Sequence, residues 1–182
     1  MSSSVLLLTG AVGAGKSDAS YRVFSRLWRA GTTAARLDLD DLGMCHPTPE
    51  DGPDNHRVKA AVMGGAWSVY LTRGARYLVL AGGVLTEAEF DLYRNQVPDA
   101  SWTVVRLRLA DDVVRRARIL GRGTDLGMTA RETTFWIDAG RAEEQGLEGQ
   151  TFCDYVIDTD ALDHEAVADR VLAVVGWNQL TA

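Results

Sequence analysis

The stretch Gly10-Ala11-Val12-Gly13-Ala14-Gly15-Lys16-Ser17 constrains the fold more than any other. The apolar, β-favouring run Val5-Leu6-Leu7-Leu8-Thr9 precedes it, and a helical pattern from Lys16 to Ala30 follows. Strand, glycine loop and helix N-terminus together build an anion site. Glycines let backbone N–H groups turn inward, and the helix end adds partial positive charge. The spacing G-x-x-x-x-G-K-S is that of a triphosphate-binding loop, the Walker A pattern. In that reading Gly10, Gly13, Ala14, Gly15, Lys16 and Ser17 bind a nucleoside triphosphate. Lys16 reaches the β- and γ-phosphates, and the Ser17 hydroxyl ligates Mg²⁺. Only Lys16 and Lys59 of the 19 basic residues are lysines. A lysine inside the loop is therefore a selective choice, since a compact ammonium fits between phosphates where a planar guanidinium does not.

Further along, apolar runs alternate with amphipathic ones. Ala19, Val23, Leu27 and Ala30 line one face of the first helix, which Gly31 stops. Strands are expected at Ala34–Leu39, Tyr77–Ala81, Trp102–Leu109 and Phe152–Asp158. Between them Val58, Val62, Ala66 and Val69 mark a helix over 55–73, with Gly64-Gly65 inside it. Thr86 with Glu89, and Thr129 with Glu132, are capping boxes. Asp111 or Asp112 caps a helix with Val113, Ala117 and Leu120 inward, closed by Gly121, before a glycine-rich segment to Gly127. A last helix spans 163–175. Such alternation specifies a three-layer α/β fold: a five-stranded parallel sheet, expected order 2-3-1-4-5, with helices on both faces. Trp28, Trp67, Trp102, Trp136 and Trp177 are assigned to packing.

The 182 residues fit one domain. A net charge of −6 disfavours a broad nucleic-acid footprint, so no long nucleic acid is expected as a partner. Cys45 and Cys153 form neither a metal spacing nor a disulfide framework, and the start reads as neither signal peptide nor membrane span. A cytoplasmic protein without membrane association, monomer or homodimer, is expected.

In many nucleotide hydrolases an aspartate ends the strand beside the loop and supports Mg²⁺. Tyr77–Ala81 instead ends in Gly82-Gly83, and no Asn-Lys-x-Asp guanine-reading motif occurs. A motor, transporter ATPase or GTPase switch is thereby disfavoured. The metal carboxylate must come from Asp38-Leu39-Asp40-Asp41, after the second strand.

With these features the chain resembles the P-loop small-molecule and nucleotide kinases, among them shikimate, gluconate and adenylylsulfate kinases and the chloramphenicol phosphotransferases. Asp38-Leu39-Asp40 is similar to the D-x-D of shikimate kinase, and Ala81-Gly82-Gly83 to the start of its Gly-Gly-Gly, with Val84 replacing the third glycine. The resemblance implies ATP- and Mg²⁺-dependent transfer to a small-molecule hydroxyl. Asp38 then faces the metal or acts as base, and Asp40 or Asp41 meets the substrate or takes the base role. Gly82 and Gly83 line the substrate. It also implies a mobile lid over about 115–128, where Arg115, Arg118 and Arg122 form one stripe. Arg118 and Arg122 are the catalytic candidates, beside Lys16, Asp38 and Asp40; Arg118 and Thr159 lie against the nucleotide. A substrate-selecting insertion over about 43–56 leads to Arg57, a candidate contact for a substrate anion. His46, His56 and His164 carry no metal or catalytic pattern.

Three other readings stay open. The acceptor could be a nucleotide or a polynucleotide 5′ end. Alternatively the chain could be an ATP-binding regulatory protein without transfer, or a degenerate kinase fold, because Asp18 places a carboxylate where relatives carry Ser or Thr.

Overall fold

A computed structural model describes residues 3–46 and 54–181. Pro47, Pro49 and Pro53 of the 43–56 insertion lie outside the described residues. The chain runs β1 (Ser4–Thr9), α1 (Lys16–Arg29), β2 (Ala34–Asp38), α2 (Leu39–Leu42), α3 (His56–Thr72) and β3 (Tyr77–Ala81). It continues through α4 (Glu87–Arg94), β4 (Ser101–Arg108), α5 (Asp112–Asp125), α6 (Ala130–Leu147), β5 (Tyr155–Asp158) and α7 (His164–Val174). The five strands are parallel in the order β2-β3-β1-β4-β5. The expected sheet order is the one found.

Alternation along β1 explains the layers. Leu6 and Leu8 face a core with Val23 and Leu27 of α1 and Val171 and Leu172 of α7. Val5 and Leu7 face the other, with Met63 and Trp67 of α3 and Phe90 and Tyr93 of α4. β1 is buried on both faces, hence its unbroken apolar run. The β1 and β3 carboxyl ends lie side by side, with Leu8 paired to Ala81, and β2 ends beside them with Asp38 paired to Ala81. That ledge of strand ends carries the site. Among the described residues no helix is long and apolar enough to cross a membrane.

Both capping boxes form as expected, Thr86 with Glu89 and Thr129 with Glu132. Asp111, not Asp112, caps α5, accepting from the N–H groups of Val113 and Val114. Three helical expectations need correction. α3 buries Ala60, Met63, Gly64 and Trp67 and leaves Val62 and Val69 exposed, so its apolar pattern marked the helix and not its inner face. In α5, Val113 and Leu120 face solvent while Arg115, Ile119 and Gly123 are inward. α5 also continues through Gly121 to Asp125: the expected stop and glycine-rich loop are helical, since tertiary packing outweighs roughly 1 kcal/mol per glycine. Finally, Trp28 and Trp136 are exposed, whereas Trp67 and Trp177 pack as expected.

Candidate functional site

The loop between β1 and α1 owes its path to backbone that only glycine takes comfortably. Gly10 has φ 144°, and a Cβ there would lie 2.3 Å from the Leu107 carbonyl oxygen. Gly15, at φ 91°, leads into α1, whose first turn has no side-chain cap. Those first N–H groups are therefore left for an incoming anion.

The loop carbonyls are held elsewhere. The Ala11 carbonyl accepts from the Ala14 N–H and from Lys16 Nζ, both at 3.1 Å. Arg115 Nη1 donates to the Val12 carbonyl at 3.0 Å, and Arg118 Nη1 reaches the Gly13 carbonyl at 3.4 Å. Three consecutive carbonyls thus face cations or an amide. One loop N–H points away from any cradle: Val12 donates to Glu143 Oε2 of α6 at 2.8 Å.

Lys16 sits in a ring of opposed fields. Its withdrawal from water pulls the ammonium below the ordinary lysine pKa, while Asp40, Glu143 and Asp38 pull upward and Arg122 adds to the depression. Asp38 ends β2 and caps α2, accepting from the Asp40 N–H at 3.3 Å; Arg36 Nη2 holds its other oxygen at 3.0 Å. Arg36 also reaches Ser20 Oγ at 2.8 Å and the Ser17 carbonyl at 3.3 Å. Asp38 is therefore braced against the start of α1, on the side where Ser17 lies. Lys59 Nζ of α3 lies 3.4 Å from Asp40 Oδ1.

One cleft of about 830 Å³ collects Gly13, Gly15, Lys16, Ser17, Asp38, Asp40, Asp41, Arg118 and Arg122. Gly10, Ala14, Arg57, Gly82, Gly83 and Thr159 do not line it. Gly10 and Ala14 shape the loop from behind. Gly82 is buried against Leu39, where a Cβ would meet the Leu39 side chain at 2.7 Å, while Gly83 faces open space. Arg57 is exposed on the first turn of α3. Thr159 is fully buried; its hydroxyl accepts from Arg118 Nη1 at 3.1 Å, and its carbonyl from Arg118 Nη2 at 2.6 Å. Arg118 thus bridges the loop to the segment after β5, and Arg122, one turn on, lines the cleft as the arginine of the stripe with neither an ion pair nor a side-chain hydrogen bond among the described residues. Asp18, the misfit of the loop sequence, faces His164 Nδ1 at 3.5 Å.

These residues suit a triphosphate with Mg²⁺. A lysine under a glycine loop and an uncapped helix start are anion chemistry, while Ser17 and Asp38 share the cleft as hard oxygen donors. Among the described residues no cluster of three metal-ligating side chains exists, so a cation would complete its shell from phosphate and water, as Mg²⁺ commonly does.

Sequence reasoning missed Glu143, Glu144 and Arg106, which lie outside any motif. For His56 the sequence offers a hydrogen-bonding or a surface role, and the structure has the first. His56 is largely buried, with Nδ1 2.7 Å from the hydroxyl of buried Tyr93 and Nε2 3.7 Å from Glu89. Burial lowers its pKa from the ordinary 6.5, outweighing the upward pull of Glu89, while Lys59 adds to the depression. The unfolded chain then binds the proton first as pH falls. Stability contributed by neutral His56 is full above about pH 6.5 and is lost as pH drops toward the depressed folded value. Urea midpoints between pH 7.5 and 5.5 should fall more steeply for wild type than for His56→Gln; parallel profiles would refute the buried neutral imidazole.

No protein-family model matches the chain, and no curated protein matches it in sequence. Solved structures do match in fold. A sugar kinase from Janibacter sp. HTCC2649 superposes with TM-score 0.66 at 15% identity, covering 99% of this chain and 98% of that one. The tunicamycin resistance protein of Deinococcus radiodurans gives 0.65 at 19%, with 96% of each chain covered. The Mycobacterium tuberculosis APS kinase, solved with AMPPNP and APS, gives 0.64 at 19%, with 98% of each covered. At such identities the likeness is one of fold. The chain therefore has the fold of the P-loop kinases, end to end.

Proposed function

We propose that the chain is an ATP- and Mg²⁺-dependent kinase that transfers the γ-phosphoryl group to a hydroxyl of a small molecule. The observation that carries this reading is the convergence of Lys16, Ser17, Asp38, Asp40 and Arg122 on one cleft at the strand ends. A binding loop alone needs no second wall of carboxylates; a transfer site does, because an acceptor must be oriented and deprotonated.

The γ-phosphoryl passes through a loose transition state whose charge spreads over its outer oxygens, so catalysis is mainly positioning and electrostatics. In this reading the loop amides and Lys16 hold the triphosphate. Ser17 and Asp38 would hold Mg²⁺, which when bound neutralises charge on the β- and γ-oxygens. The acceptor oxygen attacks the γ-phosphorus, the bond to the ADP oxygen breaks, and the hydroxyl proton passes to Asp40 or Asp38. Arg122 supplies charge to the transferring group. Arg118, held from behind by buried Thr159, forms the wall for the nucleoside, and Asp41, Arg57 and Gly83 belong to the acceptor side. Residues 115–128 form a lid hinged as a helical hairpin rather than as a glycine loop.

The test is a transfer screen with ATP·Mg²⁺ against sugars, nucleosides, shikimate-like acids and aminocyclitols. Phosphorylation of a non-nucleotide hydroxyl is the expected result. Transfer only to nucleotides or 5′ ends would replace the small-metabolite acceptor. No transfer, with ATP changing the oligomeric state, would make the chain a regulatory nucleotide-binding protein.

A further inference from the structure

α5 and α6 meet on the Gly10–Ser17 loop at Val12. Both backbone groups of Val12 are taken: its N–H by Glu143 Oε2 at 2.8 Å, its carbonyl by Arg115 Nη1 at 3.0 Å. α6 can come this close only because residue 140 is glycine. A Cβ there would lie 2.8 Å from the Val12 carbonyl oxygen and 3.3 Å from Arg115 Nη1. Val12 itself lines the cleft beside Gly13, Gly15 and Lys16.

Two consequences follow from a carboxylate at this place. A charged acceptor makes a stronger and more directional bond than a neutral one, so the 11–12 peptide is fixed in one orientation. With the Val12 N–H turned outward, the Ala11, Val12 and Gly13 carbonyls occupied and the Ala14 N–H bonded to Ala11, the amides from Gly15 onward are left to converge on an anion. The same negative charge also acts on Lys16, pulling its ammonium toward the protonated form alongside Asp40 and Asp38. A polyphosphate entering the loop brings several negative charges toward that carboxylate, and like charges in a partly dry cleft repel.

We propose that Glu143 is a positioning residue of the nucleotide site: it orients the 11–12 peptide of the loop through the Val12 N–H, while its charge limits polyphosphate affinity. The two roles have opposite signs, and one pair of variants separates them. Glu143→Gln keeps an oxygen that can accept the Val12 N–H and removes the charge. Glu143→Ala removes both. This rests on the nucleotide-binding reading above, so the readout is equilibrium binding of ATP·Mg²⁺ and ADP by calorimetry, which needs no acceptor.

For Glu143→Gln, ATP should bind about threefold more tightly, and the gain for ADP should be smaller because it carries less charge. For Glu143→Ala, ATP should bind about tenfold more weakly, the equivalent of one hydrogen bond to a charged group. Gly140→Ala leaves every charge in place but pushes α6 off Val12, and should weaken ATP in the same direction as Glu143→Ala. Thermal melts without ligand accompany each variant. A purely structural Glu143 would lower all melts while leaving affinity per folded molecule unchanged, or shift Gln and Ala in the same direction; either result overturns the proposal. Should Glu143→Ala fail to fold, Glu143→Gln and Gly140→Ala still decide the two roles. Wild-type protein that binds neither nucleotide would overturn the nucleotide reading itself, and this proposal with it.

Discussion

Replacing Lys16 by alanine should reduce kcat/KM for phosphoryl transfer by about 10³ and abolish stabilisation by ATP while leaving the fold intact. Lys16 is the cation carried by the Gly10–Ser17 loop itself, its Nζ parked 3.1 Å from the Ala11 carbonyl. In the triphosphate complex it would exchange that weak partner for phosphate oxygens. The interaction strengthens as charge moves toward the bridging oxygen, so its loss should appear in kcat as well as KM. The fold is expected to survive because the ammonium already bears a burial cost, and its removal leaves Asp38 held by Arg36 and Asp40 by Lys59. The sharpest readout is thermal. At 100-fold excess over Kd a ligand stabilises its protein by about 2.7 kcal/mol, and that increment should vanish in Lys16→Ala. Lys16→Arg should not restore it, because a planar guanidinium cannot fill the same space. An unchanged melt shift with ATP in Lys16→Ala would remove the loop from the binding site.

How far the sequence spoke depends on where each partner lies. β1 and β3 were readable because each is buried on both faces and uniformly apolar. The glycine loop was readable because its backbone geometry demands glycine locally. The capping boxes are local too, spanning four residues each. α5 was not readable in this way. Arg115 is only 1% exposed although it is a cation on a helix, because Val12 and Glu144, distant in sequence, and Leu109, six residues earlier, complete its guanidinium. A hydrophobic pattern ranks Val113 and Leu120 above Arg115 and so selects the wrong face. The same holds for Asp18, which lines the cleft and whose facing partner, His164, lies 146 positions later. Glu143 and Glu144 had no signal at all, since adjacent acidic residues near the end of a helix are commonplace.

Glu144→Ala should cost about 3 kcal/mol of folding stability, the largest loss expected from any acidic residue among the described residues. Glu144 is 8% exposed and serves two buried arginines at once: it pairs closely with Arg106 and lies 3.6 Å from Arg115 Nη2, while Oε2 accepts from the Leu109 N–H at 3.3 Å. Its removal would leave the two guanidinium groups between β4, α5 and α6 with only the more exposed carboxylates of Glu148 and Asp112 to offset their charge. Neither arginine is fully satisfied even now, since the Nε of each lacks a hydrogen-bond partner. Remaining acceptors limit the damage. Arg106 keeps the Leu147 carbonyl and Glu148, both at 2.8 Å, and Arg115 keeps the Val12 and Leu109 carbonyls, which holds the cost near the lower end for a broken buried pair. For a chain of this size about 3 kcal/mol corresponds to a melting temperature lowered by roughly 6–12 °C. Removing the buried charges together, as Arg106→Met with Glu144→Leu, should recover part of that loss, since apolar residues of similar volume often replace an ion pair without penalty. The comparison with the neighbouring residue carries the argument. Glu143 and Glu144 are adjacent on one helix turn, yet one addresses the loop and the other the core. Glu143→Gln should therefore move nucleotide affinity with little change in urea midpoint, whereas Glu144→Gln should move the midpoint first. Equal midpoint shifts in the two variants would mean that the α6 carboxylates act as one unit, and the division between positioning and stability would fall.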